Sequence, residues 1–387
     1  MKGFFQASLR ALFPMAFIRY NSSTHYATLT YAWRRARKMM TKTNKSWIRR
    51  NWLTLLTGIL TLLLMAAFLK PWPYMIYGPG SADPVHPRVE TGHKLEEKGA
   101  FLFTTVSTYS NPNIFSIIKA RIDPKMEVKS EEVATGGATN LNAYRNLLAW
   151  MRDSSEANAL LAAYTAMNKP IDAKEQGVIV YALLPESKAR DNGLQEGDII
   201  TKVDGKDITN AKELSGYLTG KKAGDKVAVS GTRGDKKFEA KVPLITMNPG
   251  SRTGIGFQNE TVLKVTPPDP VKFDFADTGG PSAGLMMTLE IIAQLTGEDL
   301  TRGYQVAGTG TISADGTVGQ IGGINYKLIA ADREKADYFL VPYNKNHPDN
   351  WELAQKTVKD LKLEPKLVQI STLQEAVDFL KKLEPKK

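Results

Sequence analysis

The chain contains no cysteine. That excludes disulfides, thiolate metal sites and a cysteine nucleophile together, and it fits a bacterial surface protein that folds without disulfide help. Histidine is scarce, with four in 387 residues. His25 precedes the one long apolar run, His86 and His93 lie in a proline-rich stretch, and His347 falls in the turn Asn344-Lys345-Asn346-His347-Pro348-Asp349. His347 and Asp349, two residues apart in a turn, would diverge, so a conventional Ser-His-Asp triad lacks a suitable base. A phosphate loop is also missing. Gly220-Lys221-Lys222 has neither the upstream glycine nor the following Ser or Thr that cradle phosphate and magnesium. No ATPase, nucleotide, cofactor or metal site is therefore expected.

Acidic residues are absent from the first 50 positions, which hold eleven Lys and Arg. Residues 51–387 carry 40 basic and 40 acidic side chains, so the net charge of +11 is one N-terminal block. A nucleic-acid binder would place its basic patch on the folded body, and no nucleic-acid partner is expected. A basic block before an apolar run instead sets membrane orientation. Trp52–Leu69 are eighteen residues without a charge, about 27 Å of helix and close to a bilayer core. Trp47 and Trp52 flank one end, Trp72, Tyr74 and Tyr77 the other, as interfacial anchors do. Lys70-Pro71-Trp72-Pro73 is a poor signal-peptidase site. The expectation is a single-pass cell-membrane protein with a cytoplasmic N-terminus and everything after residue 70 outside. Residues 1–50 stay open between a basic arm on the membrane surface and an over-called gene start, with initiation at Met39 or Met40.

Five prolines within 71–94, with Gly78 and Gly80, read as a stiff extended linker. Residues 95–170 combine a β-rich run, Ala100–Ser107, with a helical stripe of Leu147, Leu148, Met151, Leu160, Leu161 and Tyr164, which reads as core. This segment is expected to pack with the C-terminal domain, making 177–243 an insertion. Residues 177–243 alternate short β runs with the turn signals Asn192-Gly193, Asp204-Gly205 and Arg233-Gly234-Asp235, with two short helices near Ser187–Asn192 and Ala211–Leu218. The remaining unit is 244–387.

The chemistry centres on two stretches. In Gly279-Gly280-Pro281-Ser282-Ala283-Gly284, the glycines permit a sharp turn and close approach of substrate, and Pro281 suits a helix start. Ser282 falls at the opening of a helix expected over Ala283–Leu295, where free amides and the positive dipole end favour an oxyanion. Serine before an apolar helix is also the commonest N-cap. In the second stretch, Gly319-Gln320-Ile321-Gly322-Gly323-Ile324-Asn325-Tyr326-Lys327, Lys327 sits among isoleucines on a helix opening. Desolvation would lower its pKa and let it take the serine proton; a solvated helix lysine is the alternative.

These residues carry two resemblances. Ser187–Ile200 with Val203-Asp204-Gly205 resembles a PDZ domain of the bacterial-protease type, which implies strand addition of an extended peptide at Gly177, Val178, Ile179 and Val180. The glycine–serine turn, then Thr309-Gly310, then Gly319–Lys327 resembles the Lon proteolytic domain. That likeness implies Ser282 as nucleophile, Lys327 as base, Thr309 orienting the lysine, and Gly279, Gly280 and Gly284 in support. Gly279 stands where many relatives have Asp, and Thr311 where many have a charged residue. The combination with a membrane helix is similar to the YlbL/SepM-like group of Gram-positive surface proteases. The group's implied work is trimming secreted or membrane proteins, in some cases a peptide pheromone. The expected fold class is α+β: one transmembrane helix, a β-rich PDZ domain and a Lon-type domain. The expected partners are the membrane and a peptide or unfolded protein substrate. A catalytically silent PDZ adaptor is the competing reading.

Overall fold

The computed structural model describes residues 34–35, 47–247 and 252–386. Both readings of the first 50 residues fall largely outside them. Helix α1 (Trp52–Leu69) has no buried residue and a mean hydropathy of 2.2. By length and composition it is long and apolar enough to cross a membrane.

The chain then enters a six-stranded mixed sheet. Strand β1 (Tyr74–Pro84) pairs antiparallel with β2 (Ala100–Ser110). After α2 (Ile114–Ile122), strand β3 (Glu127–Ser130) pairs with the other edge of β1. The proline-rich stretch is thus not a linker: much of it is a strand inside a sheet. The pairing survives because the register slips between Pro79 and Ala82. A bulge is where a strand tolerates a residue without an amide hydrogen.

Helix α3 (Leu141–Ala166) leads out of this sheet. Asn140 caps it, its side chain accepting from the Asn142 and Ala143 amides. A second, antiparallel sheet follows, built from β4 (Asp172–Leu183), β5 (Asp198–Val203), helix α4 (Ala211–Leu218), β6 (Lys226–Arg233), β7 (Lys236–Pro243) and β8 (Phe257–Thr266). Its order is β8-β4-β5-β6-β7. The sheet therefore runs past residue 243, since β8 pairs with β4 along its whole length. This part has its own core, including Val178, Ile200, Leu214 and Val229. Helix α4 begins where Asn210 caps it by accepting from the Glu213 amide at 2.8 Å, while the Glu213 carboxylate accepts from the Thr209 amide at 2.8 Å.

The chain then returns to the first sheet through α5 (Gly284–Thr296), β9 (Gln305–Gly308), α6 (Ile324–Arg333), β10 (Tyr338–Pro342), α7 (Asp349–Leu361), β11 (Lys366–Ile370) and α8 (Leu373–Lys382). The full order is β11-β10-β9-β2-β1-β3, parallel from β11 to β2. Phe101, Phe103, Val306 and Leu340 face one side and Leu102, Ala307, Phe339 and Val341 the other, the two-residue period of a pleat. Both faces are covered, as parallel strands require. Every residue of α5 from Gly284 to Leu295 is buried, which explains an apolar run too short to span a bilayer. Truncating one of its leucines to alanine would cost about 2–5 kcal/mol.

Candidate active site

The turn before α5 is shaped by Gly280, with φ of +83°, a region that favours glycine. Its amide donates to the Leu148 carbonyl at 2.9 Å. A Cβ on Gly279 would stand 3.2 Å from Leu148 Cβ. The loop is held from outside by Arg88, whose two terminal nitrogens reach the Asp277 carboxylate at 2.7 and 3.1 Å. Hydrogen bonding to Arg88 holds that carboxyl below its usual range.

Ser282 does not cap the helix. Ala283 occupies the cap position with no side-chain bond, so the common structural role of a serine here is absent and its hydroxyl is free for another partner. That partner is Lys327, whose Nζ lies 2.7 Å from Ser282 Oγ. Lys327 stands on the first turn of α6, opened by Gly323 at φ +72°. A Cβ on Gly323 would meet Val106 Cγ2 at 2.8 Å, so the glycine lets α6 seat against β2. Lys327 is 3% exposed. Burial alone pushes its amine from 10.5 down to about 7.

The remaining partners of Nζ are the Thr104 carbonyl at 2.9 Å and Thr309 Oγ1 at 3.0 Å. Thr309 in turn donates to the Ser282 carbonyl at 3.0 Å. This pattern suits a neutral amine. Its two N–H bonds go to Thr104 and Thr309, and its lone pair faces the serine O–H. The Gly310 amide also donates to the Ser282 carbonyl, at 2.9 Å, which leaves the serine backbone fixed from both sides. Gly284 sits where a Cβ would meet Ile312 Cγ2 at 2.8 Å and Ser155 Oγ at 2.9 Å.

The Ser282 and Ala283 amides have no acceptor among the described residues. Both residues line a cleft of about 840 Å³ that also takes in Gly279, Thr104 and Lys327. Leu148 and Met151, read from the sequence as core, also line this cleft, and Met151 packs against the buried Leu147, Trp150 and Ile179. Two free amides beside a serine whose proton has an acceptor can stabilise a tetrahedral oxyanion.

These features coincide with a family match. The Lon protease (S16) C-terminal proteolytic domain model matches residues 276–379. Residues 276–379 are a Lon-type proteolytic domain. The PDZ domain model matches residues 159–244, so the chain couples a PDZ domain to the Lon-type domain. The Lon protease of Chloroflexus aggregans is 39% identical over 85 residues, 22% of this chain and 10% of that protein. The Lon protease of Escherichia coli K12 is 37% identical over 86 residues, 22% of this chain and 11% of that protein. The chain thus spans about a tenth of the length of these curated relatives. The PDZ domain of an SdrC-like protein from Listeria monocytogenes is 32% identical, with 22% of this chain and 87% of that chain covered and a TM-score of 0.21.

The residues expected to receive a peptide strand do not lie at a sheet edge. Gly177, Val178, Ile179 and Val180 lie on β4, which is interior to its sheet. Val178 and Ile179 pair with β5 on one side, and Val178, Ile179 and Val180 with β8 on the other. Strand addition needs a free edge, and β4 has none there. The edge strand on that side of β4 is β8. A groove of about 400 Å³ runs between α4 and residues 252–259, lined by Leu214, Ser215, Leu218, Ile255, Gly256 and Phe257. The signal was in the sequence: Gly254-Ile255-Gly256-Phe257 opens a β run, and Gly256 takes φ +85°. The Thr104 carbonyl had no signal, because a backbone oxygen leaves no mark in residue type.

Proposed function

We propose that the chain is a membrane-anchored, ATP-independent serine endopeptidase with a Ser282–Lys327 dyad. The observation that carries this reading is the 2.7 Å contact between Lys327 Nζ and Ser282 Oγ at a lysine that burial keeps near neutrality. Neutral Lys327 takes the Ser282 proton as Oγ attacks a peptide carbonyl. The Ser282 and Ala283 amides hold the oxyanion, and Lys327 protonates the leaving amine. Water then hydrolyses the acyl-enzyme by the same route reversed. Thr309 and the Thr104 carbonyl keep the amine aimed.

In this reading the catalytic unit draws on both 71–168 and 276–386, with the PDZ domain between. The basic flank lies inside the cell and the catalytic domain outside, where unfolded or extended secreted peptides, pheromone precursors among them, would be substrates. The free edge of β8 facing α4 would seat a substrate strand.

The test uses full-length chain in detergent micelles with unfolded casein and a fluorogenic peptide library. Ser282→Ala and Lys327→Met should each lower turnover by at least about 1000-fold. Equal cleavage by Ser282→Ala would remove the dyad and leave a peptide-binding adaptor.

A further inference from the structure

Outside the cleft, one group of side chains has no role in the chemistry above. His86, just after β1, Glu97, in the loop before β2, and Glu290, on α5, bring one ligand atom each within 4.8 Å of one another. His86 Nδ1 is 2.8 Å from Glu290 Oε1 and 3.6 Å from Glu97 Oε2. We propose that His86, Glu97 and Glu290 form a divalent-cation site, suited to zinc, that ties the 86–97 segment to the helix presenting Ser282.

Three observations carry this. The first is charge. Two carboxylates sit inside the protein, with side chains 6% and 0% exposed, and the cation among their ion-pair partners is one partly exposed imidazole. A buried charge needs a partner. The second is the hydrogen-bond account. Glu97 Oε1 and Glu290 Oε2 are both buried with no partner among the described residues, and such orphans call for an explanation. The third is preorganisation. Gln294 Nε2 donates to Glu290 Oε1 at 2.6 Å and to the Val89 carbonyl at 2.7 Å, and its Oε1 accepts from the Thr91 amide at 3.1 Å. The amide is locked by backbone on both ends and fixes the carboxylate, as outer partners of metal ligands do.

The spacing fits. A tetrahedral ion with bonds of about 2.1 Å holds its ligand atoms about 3.4 Å apart, between the two distances to His86. One imidazole with carboxylates favours zinc over calcium, which takes six to eight oxygens. His86 is 40% exposed, leaving a path for the ion and a water as fourth ligand. The three ligands are far apart in sequence, which is why no metal was read from it.

The experiment takes untagged full-length chain in micelles, strips it with EDTA, and adds zinc, manganese or calcium chloride separately. Bound metal is measured by elemental analysis after desalting, and the Tm is recorded in each case. Zinc should bind at about one equivalent and raise the Tm by at least about 4 °C. Glu97→Gln keeps the shape and removes the charge; it should weaken zinc binding by about 100-fold without lowering the metal-free Tm. His86→Ala should weaken zinc binding to a similar extent. Zinc below a tenth of an equivalent with no Tm shift would overturn the site. Undiminished zinc binding by Glu97→Gln and His86→Ala would also overturn it, by placing the metal elsewhere.

Discussion

Thr309 touches both Ser282 and Lys327. Its Oγ1 lies 3.0 Å from Lys327 Nζ and 3.0 Å from the Ser282 carbonyl oxygen. One hydroxyl therefore accepts from the lysine amine and donates to the serine backbone. Removing it strands an N–H in a dry pocket and frees the serine turn. Thr309→Val should lower kcat by about 10–100-fold with KM little changed, and Thr309→Ser should restore most of the loss. Steady-state kinetics on one fluorogenic peptide separates the two parameters.

The buried amine predicts that activity and stability both fall under acid. Its folded value, about 7, lies below the ordinary 10.5, so the folded state binds fewer protons than the unfolded state between these values. Stability from this group then rises with pH across that window, and the cost of the buried charge is complete below pH 7. Lys327→Met removes that cost and should raise stability at pH 6 by about 1–4 kcal/mol, read as a higher Tm, although it abolishes turnover. In the wild type, kcat/KM should climb through pH 7 as the amine loses its proton. A flat profile from pH 5.5 to 8.5 would contradict a lysine base.

Substrate capture should follow β8. Ser215 is exposed and lines the groove beside α4. Ser215→Trp should raise KM for unfolded protein substrates by about 10-fold or more and leave short peptides that reach only the cleft unaffected. Parallel assays on casein and a short peptide make the comparison.

Gly284 is a steric requirement rather than a flexible joint. A methyl there would press on Ile312 and Ser155, neither of which is free to yield, since Ser155 Oγ is bound to the Pro281 carbonyl at 3.0 Å. Gly284→Ala should cost about 1–3 kcal/mol in a denaturant melt. It should also reduce kcat, because the displaced segment carries Ser282.

Much of this was legible beforehand because local chemistry and global packing agree. Helix α4 spans Ala211–Leu218 as expected, since Asn210 and Glu213 write its start into the sequence. The turn into the buried helix Gly284–Thr296 was legible for the same reason: two glycines and a proline before an apolar run mark a sharp turn at a helix start. Where composition misled, tertiary context had overruled it. Prolines suggested a tether at 71–94, yet a register slip at Pro79 admits the segment to a sheet. Val178–Val180 have the apolar run of a β strand, but a residue string does not say which edge of a strand is already bonded. Leu148 and Met151 follow the helical stripe and still end at a cleft wall, because periodicity reports a face and not what that face meets.

Thr104 belongs to β2, and β2 lies beside β9 in the sheet. One of the two acceptors of the lysine N–H bonds is therefore supplied from upstream of the PDZ strands, well outside the 276–379 segment that matches the Lon-type domain. A fragment excised to those limits would keep the serine, the lysine and the threonine, yet lack a wall of its own catalytic chamber. Conversely, cutting the backbone between the PDZ and Lon-type portions would not liberate a protease, because the two pieces would stay laced together by the central strands.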